Sequence, residues 1–170
     1  MTDITTEYES SSKSIAKAGK YLTFYLGEEV YGLEILKVQE IIGMMKITQV
    51  PRTPDFVRGV INLRGQVISV IDLRQKFGLG SQEDTEKTCI IVVQVKGNTQ
   101  NLIMGIIVDE VSEVLDIAGE QIEPAPSFGA TVETEFIMGM GKLGERVVMM
   151  LEVDKVLSIG ELDALTNVTN

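Results

Sequence analysis

The chain has 170 residues, 44% hydrophobic and 24% charged, which suits one globular domain or two small ones sharing a core. A net charge of -10 and a pI near 4.5 repel phosphate backbones and anionic membrane surfaces, so neither a nucleic-acid partner nor direct membrane contact is expected. Histidine is absent, which removes the commonest general base and metal ligand, and the single cysteine, Cys89, rules out an internal disulfide framework.

In chain order, residues 1–18 are rich in Ser, Thr and charge and read as a mobile tail. Tyr21–Leu26 alternates as a half-buried strand; Gly27-Glu28-Glu29 turns the chain, and Val30–Ile35 returns as a second strand. Ile35–Ile42 fits a short turn followed by a strand. Pro51 and Pro54 then break regular structure before the stretch Phe56–Leu73, FVRGVINLRGQVISVIDL. Two β-rich runs, Gly59–Leu63 and Gln66–Leu73, flank Arg64-Gly65, which predicts a hairpin with an arginine at its tip. Asp72 is placed to cap a short helix that Gly78 ends, and 80–87 has the composition of an exposed loop.

The second half opens with Cys89–Val95, a strand buried on both faces, in which Cys89 reads as a small core residue. Gly97-Asn98 turns the chain and Leu102–Val108 pairs back. From here the sequence echoes itself. MGIIVDEVSEV (104–114) overlies YGLEILKVQEI (31–41), matching Gly32/Gly105, Val38/Val111 and Glu40/Glu113. QIEPAPSF (121–128) overlies QVPRTPDF (49–56), and FIMGMGKLGERVVMMLEV (136–153) overlies 56–73 with an eight-residue insertion near Gly129–Phe136. Three echoes in one order argue for internal duplication. Four to five short strands per half predict an all-β fold of two small five-stranded barrels, SH3-like or OB-like, dividing near 80–88 and packed on a common core with short helices, with a strand exchanged between them. Ser158 and Glu161 suit a capping box that opens a short helix in the 160–170 tail.

Candidate chemistry is sparse. Gly139, Gly141 and Gly144 spell a dinucleotide fingerprint, yet a β-rich run follows where the pyrophosphate would need a helix N-terminus, so they read as hairpin glycines. The carboxylate pairs Asp109/Glu110 and Glu152/Asp154 read as solvated faces in a chain with 25 acidic residues. Met138, Met140, Met149 and Met150 read as core, with some apolar surface left for protein partners. Arg64 stands where the echo has Gly144, a difference of charge in a loop, which is where recognition resides. Glu40 is expected to form a salt bridge with it.

YG-x-x-I-x-x-VQEI, NLRG-x-V and IDLR, in that order over about residues 19–159, resemble the CheW family of coupling proteins in bacterial chemotaxis. The resemblance implies a non-catalytic cytoplasmic adaptor, recruited to receptor clusters at the inner membrane and needing no cofactor or metal. One surface would dock the regulatory domain of the chemotaxis histidine kinase; a groove between the barrels would receive the cytoplasmic tip of a methyl-accepting chemoreceptor. Carried over by motif, the contact positions are Val38, Glu40, Gly59 and Arg64, with Gly59 read as a place where a Cβ would obstruct a partner. A rival reading from the fold alone is an OB-like binder of small ligands or single-stranded nucleic acid; it would need stacking aromatics and a basic groove, against 5% aromatics and a negative charge.

Overall fold

The computed structural model describes residues 16–96, 100–125, 136–157 and 161. The tail before residue 16, the Gly97-Asn98 turn, the insertion near Gly129, the Ser158 end of the capping box and the chain after Glu161 lie outside the described residues. Strands β1 (Gly19–Leu26) and β2 (Glu29–Glu34) form the first hairpin, and a 3-10 turn (Ile35–Lys37) leads to β3 (Val38–Gly43). The predicted hairpin is β4 (Val57–Leu63) and β5 (Gln66–Asp72), followed by helix α1 (Leu73–Lys76). Then come β6 (Cys89–Lys96), β7 (Asn101–Val108), β8 (Glu110–Ile117), a 3-10 turn (Gly119–Gln121), β9 (Ile122–Glu123), β10 (Ile137–Leu143), β11 (Arg146–Leu151) and a last 3-10 turn (Val153–Lys155).

These strands build two sheets, one of five in the order β3-β6-β7-β5-β4 and one of six in the order β8-β1-β2-β11-β10-β9. The sheets therefore do not divide at 80–88. Each repeat lends its first hairpin to the other: β1-β2 joins the later strands, and β6-β7 joins the earlier ones. One exchanged strand was expected; the exchange is of two strands each way. The duplication is visible in the hydrogen-bond register. Parallel pairing sets Ser69, Val70 and Ile71 against Met104, Gly105 and Ile106. In the other sheet Met149, Met150 and Leu151 face Tyr31, Gly32 and Leu33, which are the same positions under the two sequence echoes. Asp72 N donates to Phe56 O at 2.7 Å, and its counterpart Glu152 N donates to Phe136 O at 2.7 Å.

Among the described residues both sheets curl without closing into a hydrogen-bonded barrel. After β3 the chain returns along β4, where Thr48 and Val60 exchange backbone bonds of 2.8 and 2.9 Å. After β8 it returns as β9 along β10, with Glu123 opposite Met140. Thr48 and Glu123 are thus the equivalent residues, three positions away from the alignment that the prolines suggested. Strand pairing set this register; proline, with no N–H to give a ladder, could only bracket it.

The core follows from the curl. Within each sheet lies a small interior, one with Ile61, Ile68, Val70, Ile90 and Val92, the other with Tyr21, Ile117, Met138 and Met150. Between the sheets lies a larger shared core containing Leu22, Phe24, Leu33, Ile71, Ile91, Val93, Met104 and Leu151. Strand β1 therefore has both faces buried, Tyr21 and Thr23 as well as Leu22 and Phe24, where a half-buried strand was expected. Phe24, Tyr31, Phe77 and Phe136 form a row with centroid separations of 5.8, 5.8 and 4.5 Å, joining the helix region to the six-stranded sheet. Asp72 caps α1 as predicted, its Oδ1 accepting from Gln75 N at 3.3 Å, and Gly78 follows the helix with φ of 74°.

Candidate partner-binding surface

The Arg64-Gly65 turn is held open to solvent by its own backbone. Both residues have positive φ, 53° and 90°, as a type I′ hairpin requires, and Asn62 Oδ1 accepts from Gly65 N at 2.7 Å. Positive φ is unfavourable for arginine, so the turn keeps a residue that costs it something. The equivalent turn has Gly144 there with φ of 66°, free of that cost.

Arg64 Nη2 donates to Glu40 Oε2, as expected from the sequence. Its position gives the bond meaning. Glu40 lies on β3, at one edge of the five-stranded sheet, and Arg64 at the end of the hairpin that forms the other. The pair spans the opening that the curl leaves. Val38, two residues before Glu40, is half-buried and packs on the shared core, so it anchors β3. A backbone irregularity shifts the pairing register with β6 between Val38 and Glu40.

Gly59 has a different role from the one the sequence suggested. A Cβ there would lie 2.1 Å from Thr48 O and 2.9 Å from Ile47 Cγ2, and its φ of 144° is one that side chains resist. The obstruction is with the chain itself. Gly59 admits the returning segment 47–48 against β4 and so sets the position of β3, which precedes that segment.

Sequence reasoning did not single out the apolar residues on the outside, four of which pair between the repeats. Ile41 and Val67 in one sheet are 45% and 46% exposed, and their counterparts Val114 and Val147 in the other are 47% and 48% exposed. The matched values show that exposure was kept in both repeats. The shared Val67/Val147 identity was the available signal, but only burial distinguishes a repeated surface residue from a repeated core residue. Of the methionines, Met138 and Met150 are buried and Met140 and Met149 half-buried, so the core reading holds for them.

The acidic pairs are not simply solvated faces, as had been expected. Asp109 Oδ2 accepts from Arg74 Nη1 at 2.8 Å and from Gly27 N at 2.7 Å. Asp154 accepts from Lys37 Nζ at 2.8 Å and from Lys96 N at 2.9 Å. Glu152 is pushed above the usual carboxylate range by burial first and by the Asp154 charge second. Burial pulls Lys37 down, but the bond and charge of Asp154 outweigh it and its pKa is raised. Burial likewise raises the pKa of the Cys89 thiol. Gly139, Gly141 and Gly144 lie along the β10-β11 hairpin, as the missing helix implied. Among the described residues no group of three or more acidic or cysteine side chains could hold a metal ion, and no helix is long and apolar enough to cross a membrane.

Two curled sheets with exchanged hairpins, ion pairs engaged in bracing the fold and matched apolar residues on the strand surfaces define a scaffold that works through protein contacts. Residues 20–161 match the family model for the CheW-like domain. Chemotaxis protein CheW of Klebsiella aerogenes is 45% identical over 149 residues, covering 88% of this chain and 87% of that protein. Chemotaxis protein CheW of Rhizobium meliloti is 32% identical over 156 residues, covering 91% and 98%. The crystal structure of the scaffolding protein TtCheW from Thermoanaerobacter tengcongensis superposes with a TM-score of 0.74 at 36% identity, covering 85% of this chain and 95% of that one. The chain belongs to the CheW-like family and is a non-catalytic adaptor of chemotactic signalling.

Proposed function

We propose that this adaptor joins the regulatory domain of the chemotaxis histidine kinase to the cytoplasmic tip of a methyl-accepting chemoreceptor, working in the cytoplasm at receptor clusters on the inner membrane. Val38, Glu40, Gly59 and Arg64 form or support the contact surface. The observation that carries the assignment is the Glu40–Arg64 pair, whose arginine side chain is 67% exposed on a conformationally costly turn. A bridge this exposed adds little to stability, so the presence of an arginine at such a turn is better explained by what it presents to a partner. Val38 and Gly59 act from behind, fixing β3 and the segment that follows it. The small-ligand or nucleic-acid alternative is not favoured, because the chain's negative charge and scarce aromatics oppose it.

The test is co-sedimentation with receptor-containing membranes and the kinase, together with stimulation of kinase activity. Arg64→Ala is expected to weaken recruitment about tenfold, as loss of an interface arginine does, while shifting unfolding free energy by less than about 1 kcal/mol. Failure of the unmodified protein to co-sediment with cognate partners would overturn the proposal. Normal recruitment of both Arg64→Ala and Glu40→Ala would remove this pair from the surface and leave the adaptor role standing.

A further inference from the structure

Two salt bridges occupy equivalent places in the two repeats with their charges inverted. The crossover from β2 to β3 is latched by Lys37 to Asp154, just beyond β11. The crossover from β7 to β8 is latched by Asp109 to Arg74, just beyond β5. Arg74 and Asp154 are the same position under the offset of 80 that relates the hairpins, and Lys37 and Asp109 fall within one position of each other under the offset of 73. We infer that this inverted polarity selects the exchanged arrangement of hairpins over the one in which each repeat pairs with itself.

The competing arrangement is real because the backbone registers are interchangeable. Tyr31-Gly32-Leu33 meets Met149-Met150-Leu151 in the same way that Met104-Gly105-Ile106 meets Ser69-Val70-Ile71. Moving β1-β2 onto β5, and β6-β7 onto β11, would preserve these three parallel pairings in kind. It would also be the more local pairing, and local contacts form sooner because they close shorter loops. The apolar strand pattern alone does not separate the arrangements, since Gly32 and Gly105 occupy the same register and both β2 and β7 present apolar strands. Charge does. Self-pairing would place Lys37 beside Arg74 and Asp109 beside Asp154, two like-charge contacts in place of two ion pairs.

The burial makes that difference count. Side-chain exposure is 26% and 19% for Lys37 and Asp154, and 16% and 26% for Arg74 and Asp109, well below the 61% and 74% of the Lys20–Asp116 surface pair. Partly buried charges are screened less, so repulsion there is felt more strongly than on the surface. A specific choice between near-equivalent states commonly rests on a penalty against the wrong one, and each repeat supplies half of it here.

Refolding of the full chain from urea at low salt tests this, with the native fraction read from the two-dimensional amide spectrum and size-exclusion profile. The double variant Lys37→Asp with Asp154→Lys keeps an ion pair at each latch but gives both the same polarity, so the self-paired contacts become attractive. Its native recovery is expected to fall about twofold or more, as competing minima come closer in energy. Adding Arg74→Asp and Asp109→Lys restores alternating polarity, and recovery should rise again. That rise is diagnostic, because Asp154→Lys removes the acceptor of Lys96 N and Asp109→Lys removes that of Gly27 N, leaving the fourfold variant less stable than the double one. Recovery that falls with each added substitution, following the urea midpoints, would overturn the inference. If the fourfold variant does not fold, Lys37→Met with Arg74→Met decides: it keeps both carboxylates on their backbone amides, and removes one repulsion together with both native ion pairs. Recovery reduced beyond what its urea midpoint accounts for then supports charge selection, and recovery that follows the midpoint refutes it.

Discussion

Gly59 and Gly139 stand at the same point of the two repeats, yet the chain presses on them differently. A Cβ at Gly59 would come within 2.1 Å of Thr48 O, whereas one at Gly139 would stay 3.0 Å from Glu123 O and 3.3 Å from the Ala16 Cβ. Only Gly59 also has a φ that side chains resist, 144°. Around Gly59 the five-stranded sheet is drawn tight, and the Glu40–Arg64 pair spans the same opening. In the six-stranded sheet the corresponding closure rests on β9 and on a Lys142–Glu123 bridge whose side chains are 55% and 58% exposed. Duplication preserved the backbone plan, and constraint was concentrated in one copy. The tightened copy is the one that carries the proposed contact surface.

The largest expected effect tests that contrast directly. Gly59→Ala should cost about 3 to 5 kcal/mol in urea unfolding, from backbone strain and overpacking together, against about 1 kcal/mol for Gly139→Ala. Equal costs would mean that the two closures are equally tight.

A second pair of equivalent residues sharpens the comparison. Asp72 is buried, caps α1 and accepts from Arg58 Nη1 at 3.2 Å. Its counterpart Glu152 stands in a repeat where Met138 replaces Arg58, and its pKa is raised by burial. Removing Asp72 strips both the cap and the buried partner of Arg58, so Asp72→Ala should cost about 2 kcal/mol. Glu152 should behave oppositely. Because its folded pKa lies above its unfolded one, the stability linked to its protonation is present below about 4.5 and lost as pH rises through the folded value. Glu152→Gln should therefore raise the urea midpoint at pH 7 and leave it nearly unchanged at pH 4.

The smallest effect concerns Ser69, whose buried Oγ has no hydrogen-bond partner among the described residues, where the other repeat has Met149. Ser69→Ala should stabilise by about 1 kcal/mol through removal of an unsatisfied hydroxyl. A loss of stability instead would show that the hydroxyl has a partner, such as an internal water.

Much of the fold was legible in local pattern. Arg64-Gly65 between β-rich runs marked the hairpin, Asp72 and Gly78 marked the helix ends, and Gly97-Asn98 separated two apolar runs that do become β6 and β7. The Glu40–Arg64 contact was also within reach, because a carboxylate on a strand beside the hairpin and an arginine at its tip are of opposite charge. Gly59 was harder: a glycine in a strand signals a close approach, but the sequence does not say whether a partner or the chain's own Thr48 makes it. Asp109 and Asp154 were misread because a carboxylate near a strand end has the same composition whether it faces water or braces a crossover. Only the partners, Arg74 and Lys37, distinguish the two.

What the sequence determined by itself was the repeated unit: strand periodicity, hairpin turns and the positions that correspond between halves, all of them short-range properties of side-chain alternation and backbone preference. The tertiary structure decided which copy of each hairpin pairs with which sheet. An internal repeat makes the residues of two hairpins equivalent and leaves their partners interchangeable. The choice is made where the chain folds back on itself, by long-range contacts such as Lys37 with Asp154 and Arg74 with Asp109.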